Sequence, residues 1–305
     1  MTKPTKSTLC PELEKHLKSA DYSSPTEWSW ELKTTYVVDV MGHTHKVNFI
    51  QCKTFGQYVT SYLTQVDKLC LNAESIHLVF DTYCEGPVKD SERSRRNTTL
   101  AVEISAIDTE TLFPADMTSF WGSNSNKEKL QMLIRNAIMP DPTQLSTTKI
   151  FLSGIGIDEE SRMPCQTETG VIIDELQYDI EEADERLILH IMYAARKGSE
   201  RIVVLSNDTD VLVLTLHNTD RFKRKGMKEL WQRAGVANTS RFIPIPVLSA
   251  KLGPNVCRVL PALHILTGCG ATSKVGTKPA SMKANPVPWQ ILARCITLEC
   301  GGCQF

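Results

Sequence analysis

The stretch from residue 179 to residue 216 constrains the fold more than any other part of the chain. It contains EEADERLILHIMYAARKG, an amphipathic helical pattern with acidic residues in its first turn, basic residues in its last turn and Gly198 as a stop signal. The apolar run RIVVL follows the helix, and another apolar run, KIFLSGIGI, precedes it in the chain. A strand, a helix and a second strand in this order predict an α/β fold with a mainly parallel central sheet flanked by helices.

Other segments also have the periodicity of regular structure. TTYVVDV and SIHLVFD are short apolar runs that predict strands, whereas the segments that begin at Phe55 and Asn126 carry apolar residues at helical spacing. The predicted inward-facing positions are Phe55, Val59, Tyr62, Leu63, Val66 and Leu69 in the first helix, and Leu130, Leu133, Ile134 and Ala137 in the second. AVEISAI, at 101–107, is too short to decide between a strand and a helix.

Acidic residues stand where several of these segments begin or end. The six residues are Asp39 and Asp81 at the ends of the first two strands, Glu182 and Asp184 at the start of the long helix, and Asp208 and Asp210 after the strand at 201–206. In open parallel sheets ligands bind beyond the carboxyl ends of the strands, so acids delivered there converge. Because clustered carboxylates repel one another, the cluster requires cations, and one or two Mg²⁺ or Mn²⁺ ions suit oxygen ligands. Two such ions clamp the attacking and leaving oxygens in phosphodiester hydrolysis.

Each of these acids also has a simpler interpretation. An aspartate at a strand end is common in turns, and Glu182 and Asp184 also suit the helix dipole. Asp208 and Asp210 are harder to explain in this way, because they flank one residue between two strongly apolar runs. It is the order of all the acids along the chain, and not any one of them, that predicts a metal site.

Composition excludes several classes of protein. Of the 305 residues, 41% are hydrophobic and 23% are charged, which is typical of a folded protein and not of a disordered one. The sequence has no apolar run long enough to span a membrane, and its charged first twenty residues do not resemble a signal peptide. We therefore expect an intracellular protein, nuclear or cytoplasmic, whose ten cysteines are reduced. The net charge of −1 identifies no partner.

The order of the acidic motifs resembles that of the flap-endonuclease branch of the PIN-like nuclease superfamily. In that branch a first strand carries an Asp, a second carries V-F-D, a helix carries E-A-E/D, and the next strand carries D-x-D. The matching segments here are YVVDV with Asp39, HLVFD with Asp81, Glu182-Ala183-Asp184, and Asp208-Thr209-Asp210. The resemblance implies a metal-dependent nuclease core over roughly residues 35–275, after a polar leader at 1–34 that is loose or forms a short helix. Residues 276–305 are expected to be a short, divergent or truncated tail.

A closer resemblance is to an uncharacterised group of PIN-like proteins from transposon-rich animal genomes. Their pattern of E-E-A-D-x-R-(L/M)-x-L-H, D-T-D-V-x-V-L and L-P-x-x-H-x-L-T-G-C-D-x-x-S is matched here by EEADERLILH, NDTDVLVL and LPALHILTGCGATS. One departure is Gly270, which stands where the group has Asp. Because the flap-endonuclease branch uses this acid as a ligand, usually of the second ion, the resemblance implies weakened or absent catalysis with one metal ion still held.

The segment after Asp81 supplies the first set of candidate phosphate contacts. Lys89, Arg93, Arg95 and Arg96 follow Asp81 by eight to fifteen residues. The flap-endonuclease branch places a Lys and an Arg at similar distances against the scissile phosphate, which implies that role for Lys89 and Arg95. Arg93 and Arg96 would be further contacts to nucleic acid. A solvated, charged helix face is the alternative.

A second basic segment, RFKRKGMKELWQR at 221–233, interleaves six basic residues with aromatic ones. Lys223, Arg224 and Lys225 would neutralise phosphates, and Phe222 and Trp231 would stack on bases. Such a combination suits single-stranded nucleic acid. A plain exposed loop is the alternative, and the composition of the segment slightly favours it.

Several histidines and cysteines are also candidate metal ligands. His190 lies in the middle of an apolar helix and is expected in the core, whereas His43 and His45 are expected at the surface. Three C-terminal cysteines have zinc-like spacing, which is a weak signal without a second C-x-x-C pair. The candidate zinc ligands are Cys295, Cys300 and Cys303, with Cys257 or His264.

Two functions remain open at this point. The first is a metal-dependent nuclease that hydrolyses phosphodiester bonds in single-stranded or branched DNA or RNA, with the six acids holding Mg²⁺ or Mn²⁺. The second is a pseudo-nuclease that binds nucleic acid or another partner without turnover, which Gly270 favours. Asp208-Thr209-Asp210 also fits a nucleotide-sugar transferase or a haloacid-dehalogenase phosphatase. However, the former normally needs a membrane anchor or signal, and the latter has its other acids downstream and not upstream.

Overall fold

A seven-stranded sheet forms the centre of the protein. The computed structural model describes residues 9–29, 31–44, 52–82, 102–114, 117–139, 145–147, 149–155, 162–177, 183–235 and 239–266. The strands are β1 Thr34–Asp39, β2 Ser75–Val79, β3 Ile150–Ser153, β4 Cys165–Gln166, β5 Arg201–Leu205, β6 Glu229–Ala234 and β7 Arg241–Pro244. Their order across the sheet is β4-β3-β2-β1-β5-β6-β7. The five inner strands are parallel, and β4 and β7 pair antiparallel at the two edges.

Helices cover both faces of this sheet. They are α1 Leu9–Glu14, α2 Val40–Thr44, α3 Phe55–Leu69, α4 Met117–Gly122, α5 Asn124–Ile138, α6 Ala183–Arg196, α7 Thr209–Lys223, α8 Ile245–Leu252 and α9 Pro254–Leu266. Single 3₁₀ turns occur at Ser19–Asp21, Pro25–Glu27 and Asp174–Leu176. The predicted α/β fold with a mainly parallel sheet flanked by helices is therefore confirmed. Within the described ranges, no helix combines the length and the apolar character needed to cross a membrane.

Four of the five inner strands are buried between helices on both faces of the sheet. Every residue of β1, β2, β3 and β5 is buried, as expected for parallel strands covered on two faces. Alternate side chains such as Tyr36 and Val38 face the core formed with α3 and α5, whereas Val37 faces the core formed with α6 and α7. The same alternation continues in β5, where Val203 faces the first core and Val204 the second.

The long helices have the inward faces and ends that their sequences predict. In α3, Phe55, Val59, Tyr62, Leu63 and Val66 are all buried, and Leu69 is partly buried against the same core. In α5, Leu130 and Ile134 are buried, while Leu133 and Ala137 are partly buried against that core. The stop predicted at Gly198 is confirmed, because α6 ends at Arg196 and Gly198 has a φ of +91°. Glycine adopts this left-handed conformation at little cost.

The segment expected to be a loose leader or a short helix packs against the domain. Its short helix is α1, in which Leu9 and Leu13 are buried in the core beside α7. Trp28 is also buried, on the other side of the sheet. The N-terminal segment between residues 9 and 29 thus contributes to both cores.

The stretch AVEISAI forms neither of the elements considered for it over its described part, residues 102–107. Its backbone is bonded to a side chain and not to a neighbouring strand. The Asn126 amide nitrogen donates to the Val102 carbonyl at 2.8 Å, and the Ile104 N–H donates to the Asn126 carbonyl oxygen at 2.9 Å. Asn126 is fully buried, so this segment is fixed without regular structure.

The course of the chain through the sheet defines where a ligand site is expected. From the central strand β1 the chain passes to β2 and β3 on one side, and then returns to β5 and β6 on the other. The direction of winding therefore changes between β1 and β5. In open α/β sheets the crevice beyond the carboxyl ends of the two strands at such a switch point is the usual ligand site.

Candidate metal centre

Five of the six predicted acids are described, and all five lie at the carboxyl edge of the sheet. Two follow strands: Asp39 is the last residue of β1, and Asp81 comes two residues after β2. The other three open helices: Asp184 in α6, Asp208 as the N-cap of α7, and Asp210 in its first turn. Glu182, the sixth, lies outside the described residues. The fold thus gathers at one edge carboxylates that are up to 171 residues apart in the sequence.

Three of these carboxylates form a compact set. Asp184, Asp208 and Asp210 each offer an oxygen, and the three oxygens lie within 4.8 Å of one another. All three side chains are half-buried, so the set is open to solvent on one side. Hard carboxylate oxygens at this spacing are the donors that Mg²⁺ and Mn²⁺ prefer. The residues present therefore fit a divalent ion of this class.

The electrostatics of Asp184 show that negative charge is concentrated here. Burial, followed by the charges of Asp208, Asp39, Asp210 and Asp81, raises the pKa of Asp184 from its ordinary value of 3.8 to about 8. Every one of these causes opposes ionisation of the carboxyl group. A divalent cation bound among the acids would reverse the balance and favour the ionised form.

Asp39 is held rigidly behind the three-carboxylate set. Its side chain is almost fully buried, and its two oxygens accept hydrogen bonds from the Gly42 N–H at 2.8 Å and the Ser206 hydroxyl at 2.9 Å. Burial and the charge of Asp81 raise the pKa of Asp39 to about 6, against the effect of these hydrogen bonds. A Cβ on Gly42 would lie 2.2 Å from an Asp39 oxygen, so glycine is required there.

A buried glutamine fixes the loop that carries Asp208. Gln232, in β6, is 1% exposed, and its amide nitrogen donates to the carbonyls of Ser206 and Asp208, both at 3.2 Å. The Asp208 carboxylate accepts a hydrogen bond from the Asp210 N–H at 2.9 Å and so caps α7. Asp208 thereby has a capping role as well as its place in the carboxylate set.

A second buried glutamine fixes Asp81 in the same manner. Gln131, in α5, is fully buried; its side-chain carbonyl accepts from the Asp81 N–H at 2.8 Å, and its amide donates to the Asp81 carbonyl at 3.3 Å. The charge of Asp81 raises the pKa of both Asp39 and Asp184. The five described acids at the carboxyl edge of the sheet are called the acidic edge below. Asp81 belongs to it electrostatically, although it is not a member of the compact set.

His264, considered above as a zinc ligand, instead contacts an acid. Its Nε2 is hydrogen-bonded to Oδ1 of Asp210, and the imidazole is buried in the last turn of α9. The C-terminal cysteines, the other proposed zinc ligands, lie outside the described residues. The Cys257 thiol is hydrogen-bonded to the hydroxyl and to the backbone carbonyl of Ser249.

The other histidines differ in how well the sequence predicts them. His190 is buried, as expected, and its Nδ1 lies 2.8 Å from Nδ1 of His77 in the core. The expectation of a surface position for His43 is wrong: it is 1% exposed, because α2 turns inward after Asp39 and places the ring against Tyr62. His45 lies outside the described residues.

The basic turn, Lys223 to Lys225, lies at the opposite edge of the sheet from the acids. Helix α7 begins at the acids, and its 15 residues span about 22 Å before it ends at Lys223. Lys223, Arg224 and Lys225 are exposed, as predicted, but their sequence neighbour Phe222 is fully buried in the core and cannot stack on a base. Trp231 is partly buried, with one ring face stacked on Trp28 at 5.3 Å between centroids.

The first basic segment cannot be placed against the acids. Lys89, Arg93, Arg95 and Arg96 lie outside the described residues, as does Gly270. Their roles remain predictions from the sequence.

Comparison with known proteins does not identify a family for the chain. No family model matches the chain, and no curated protein matches it. The function proposed below is therefore inferred from the acidic edge itself.

Proposed function

We propose that the protein is a metal-dependent nuclease of the PIN-like type, acting on single-stranded or branched nucleic acid. The observation that carries this proposal is the compact set of Asp184, Asp208 and Asp210 at the switch point of the sheet. Burial and the neighbouring carboxylates raise the pKa of Asp184, and such a concentration of negative charge is suited to bind divalent ions. The resemblance of the acidic motifs to the flap-endonuclease branch supports the choice of a phosphodiester substrate.

Each acidic residue has a distinct part in the proposed site. Asp184, Asp208 and Asp210 would bind Mg²⁺ or Mn²⁺ directly, and Asp39, Asp81 and Glu182 would bind a second ion or water molecules around the first. The ions would supply an activated water and stabilise negative charge on the phosphate. Ser206 and Gly42 hold the Asp39 carboxylate in place, and Gln131 and Gln232 hold the loops of Asp81 and Asp208.

The phosphate contacts of the proposed nuclease come from the sequence. Lys89 and Arg95 would orient the scissile phosphate, and Arg93 and Arg96 would extend the contact along the strand. Lys223, Arg224 and Lys225 would bind a more distant part of a long substrate, because α7 separates them from the acids. DNA and RNA both offer the phosphates that these cations require.

A non-catalytic nucleic-acid-binding module is the second candidate. One observation favours it: Gly270 replaces the acid that the resembling group has at this position. Glycine supplies neither an oxygen nor a negative charge, so a second ion would be held more weakly. The variant Gly270→Asp is therefore expected to increase cleavage if this residue limits an otherwise complete site.

Cleavage of labelled DNA and RNA tests the proposal directly. Single-stranded, flap and duplex substrates would be incubated with Mg²⁺ or Mn²⁺ and wild-type protein, Asp208→Asn or Asp220→Asn. Asn retains the helix-capping ability of residue 208 but removes its charge. Asp220 is an exposed acid of the same helix and is the matched control.

We expect metal-dependent cleavage that Asp208→Asn reduces at least about 100-fold and Asp220→Asn leaves intact. Folded wild-type protein that retains nucleic acid on a gel without cutting it, even as Gly270→Asp, would favour the binding module. Cleavage that persists in Asp208→Asn would place the active site elsewhere.

A further inference from the structure

We propose that His264 is a positioning residue that orients the Asp210 carboxylate in the metal centre. The inference rests on the proposed function and extends it to helix α9, which none of the predicted acids occupies. His264 and Asp210 are 54 residues apart in the sequence and meet only because α9 packs along α7. The role assigned to His264 is to hold a ligand and not to be one.

The contact fixes which atoms face each other. An ionised carboxylate only accepts hydrogen bonds, so Nε2 of His264 donates its proton to Oδ1 of Asp210. The imidazole is 4% exposed, whereas the Asp210 side chain is 24% exposed. The buried ring therefore approaches the carboxylate from the protein side.

His264 is outside the set of metal-binding atoms. Among the described residues, the ligand atoms that lie within 4.8 Å of one another belong to Asp184, Asp208 and Asp210, and His264 is not in this group. A carboxylate has two oxygens, and the histidine engages one of them. Partners of this kind orient metal ligands, and their loss typically weakens metal binding about 10–100-fold.

A second contact between the same helices provides an internal control. Nδ1 of His217, in α7, lies 3.2 Å from the carbonyl of Cys257, in α9. Since residue 210 meets residue 264 and residue 217 meets residue 257, the two helices run antiparallel. Both histidines join α7 to α9, but only the His264 contact involves an acid of the candidate centre.

The test is Mn²⁺ binding to the metal-free protein, measured by calorimetry and by the paramagnetic resonance of free Mn²⁺, with no nucleic acid present. The variants are His264→Leu, which removes the donor, His264→Gln, which places an amide N–H near Nε2, and His217→Gln. We expect His264→Leu to weaken Mn²⁺ affinity about 10–100-fold, His264→Gln to recover most of it, and His217→Gln to leave it unchanged. Thermal unfolding of each variant checks that it is folded.

The outcomes separate this inference from the function on which it rests. If wild-type protein binds no Mn²⁺, or if the Asp208→Asn variant binds Mn²⁺ as tightly as wild type, both the metal centre and the role of His264 are overturned. If wild-type binding requires Asp208 but folded His264→Leu binds as tightly, only the positioning role is overturned. An equal loss of affinity in His264→Leu and His264→Gln, with lowered thermal stability in both, would assign His264 to helix packing and overturn the inference as well.

Discussion

The two ends of strand β5 treat buried charge in opposite ways. At its start, Arg201 is 1% exposed, and its guanidinium contacts a carboxylate, a carbonyl and an aromatic ring. It donates to the Glu229 carboxylate at 2.6 Å and to the Ser29 carbonyl at 2.6 Å, and it lies 5.0 Å from the centre of the Trp28 ring. This buried cation therefore belongs to the structural framework.

Beyond the other end of β5, charges of one sign are brought together. Asp208 follows the strand, and burial together with the surrounding carboxylates raises the pKa of Asp184 and Asp39. At the start of β5 the effect on a carboxyl group is opposite. Burial alone would raise the pKa of Glu229, but hydrogen bonds from Arg201 and Trp231 lower it below its ordinary value. The comparison supports the proposal that the acidic edge binds a cation.

The largest effect on stability is expected at the start of β5, where Arg201 pairs with Glu229. Glu229→Gln would leave the Arg201 charge buried without its carboxylate and reduce the free energy of unfolding by about 3 kcal/mol. For a domain of this size the melting temperature would fall by roughly 6–12 °C. Urea and thermal unfolding measure both quantities.

Glu200 provides the control for that variant. It forms an ion pair with Lys228 at the same edge, but the Lys228 side chain is 61% exposed, so this pair buries no cation. Glu200→Gln should therefore change stability little. Equal losses in the two variants would mean that burial of Arg201 does not determine the strength of its pairing.

At the acidic edge we expect the opposite sign. In metal-free protein at pH 8, Asp184→Asn should raise the free energy of unfolding by about 1–2 kcal/mol, because it removes a carboxylate that its neighbours repel. Its folded-state pKa of about 8 lies above the ordinary value of 3.8, so folding favours the protonated form. The contribution of Asp184 to stability is therefore complete below about pH 4 and is lost as the pH rises to about 8.

The difference between the two proteins should accordingly widen with pH. Urea unfolding of wild-type protein and Asp184→Asn at pH 5, 6.5 and 8, with chelator present, tests this dependence. Taking the difference cancels the titration of carboxyl groups elsewhere that do not interact with Asp184. A variant that is less stable than wild type at pH 8 would contradict the account of the acidic edge.

The smallest effect on the metal centre is expected from the basic turn. Replacing Lys223, Arg224 and Lys225 with Ser should change Mn²⁺ affinity less than about twofold, because about 22 Å of helix and a screening length of about 8 Å separate them from the acids. The same variant should bind nucleic acid more weakly and with a shallower dependence on salt, if these residues contact phosphates. Filter binding at several salt concentrations measures the second effect, and unchanged binding would remove the turn from the proposed interface.

The sequence predicts the acidic edge well because strand ends are local features. Asp39, Asp81 and Asp208 each follow an apolar run, and parallel strands place such residues at one edge without any detail of packing. The residues that hold these acids are less visible. Gln131 and Gln232 occupy positions in a helix and a strand that carry no motif, and each bonds to a loop that is remote in sequence.

His264 and Phe222 show the same limit in different ways. The imidazole of His264 reaches Asp210 through the packing of two helices, which a pattern of apolar residues predicts only coarsely. Phe222 reads as an aromatic residue within a basic segment, but it faces the core from the last turn of α7. Local spacing thus predicts which elements form, whereas the direction of a single side chain depends on how those elements pack.

Thermal unfolding with and without divalent ions shows whether the acidic edge is a metal centre. Protein stripped with chelator would be melted with increasing Mg²⁺ or Mn²⁺, alongside Asp208→Asn and Asp220→Asn. A ligand that binds the folded state raises the melting temperature in proportion to the logarithm of its concentration above Kd. We expect such a rise for wild type and Asp220→Asn and no rise for Asp208→Asn. An unchanged melting temperature in wild type, or an equal rise in Asp208→Asn, would contradict a metal centre at this edge.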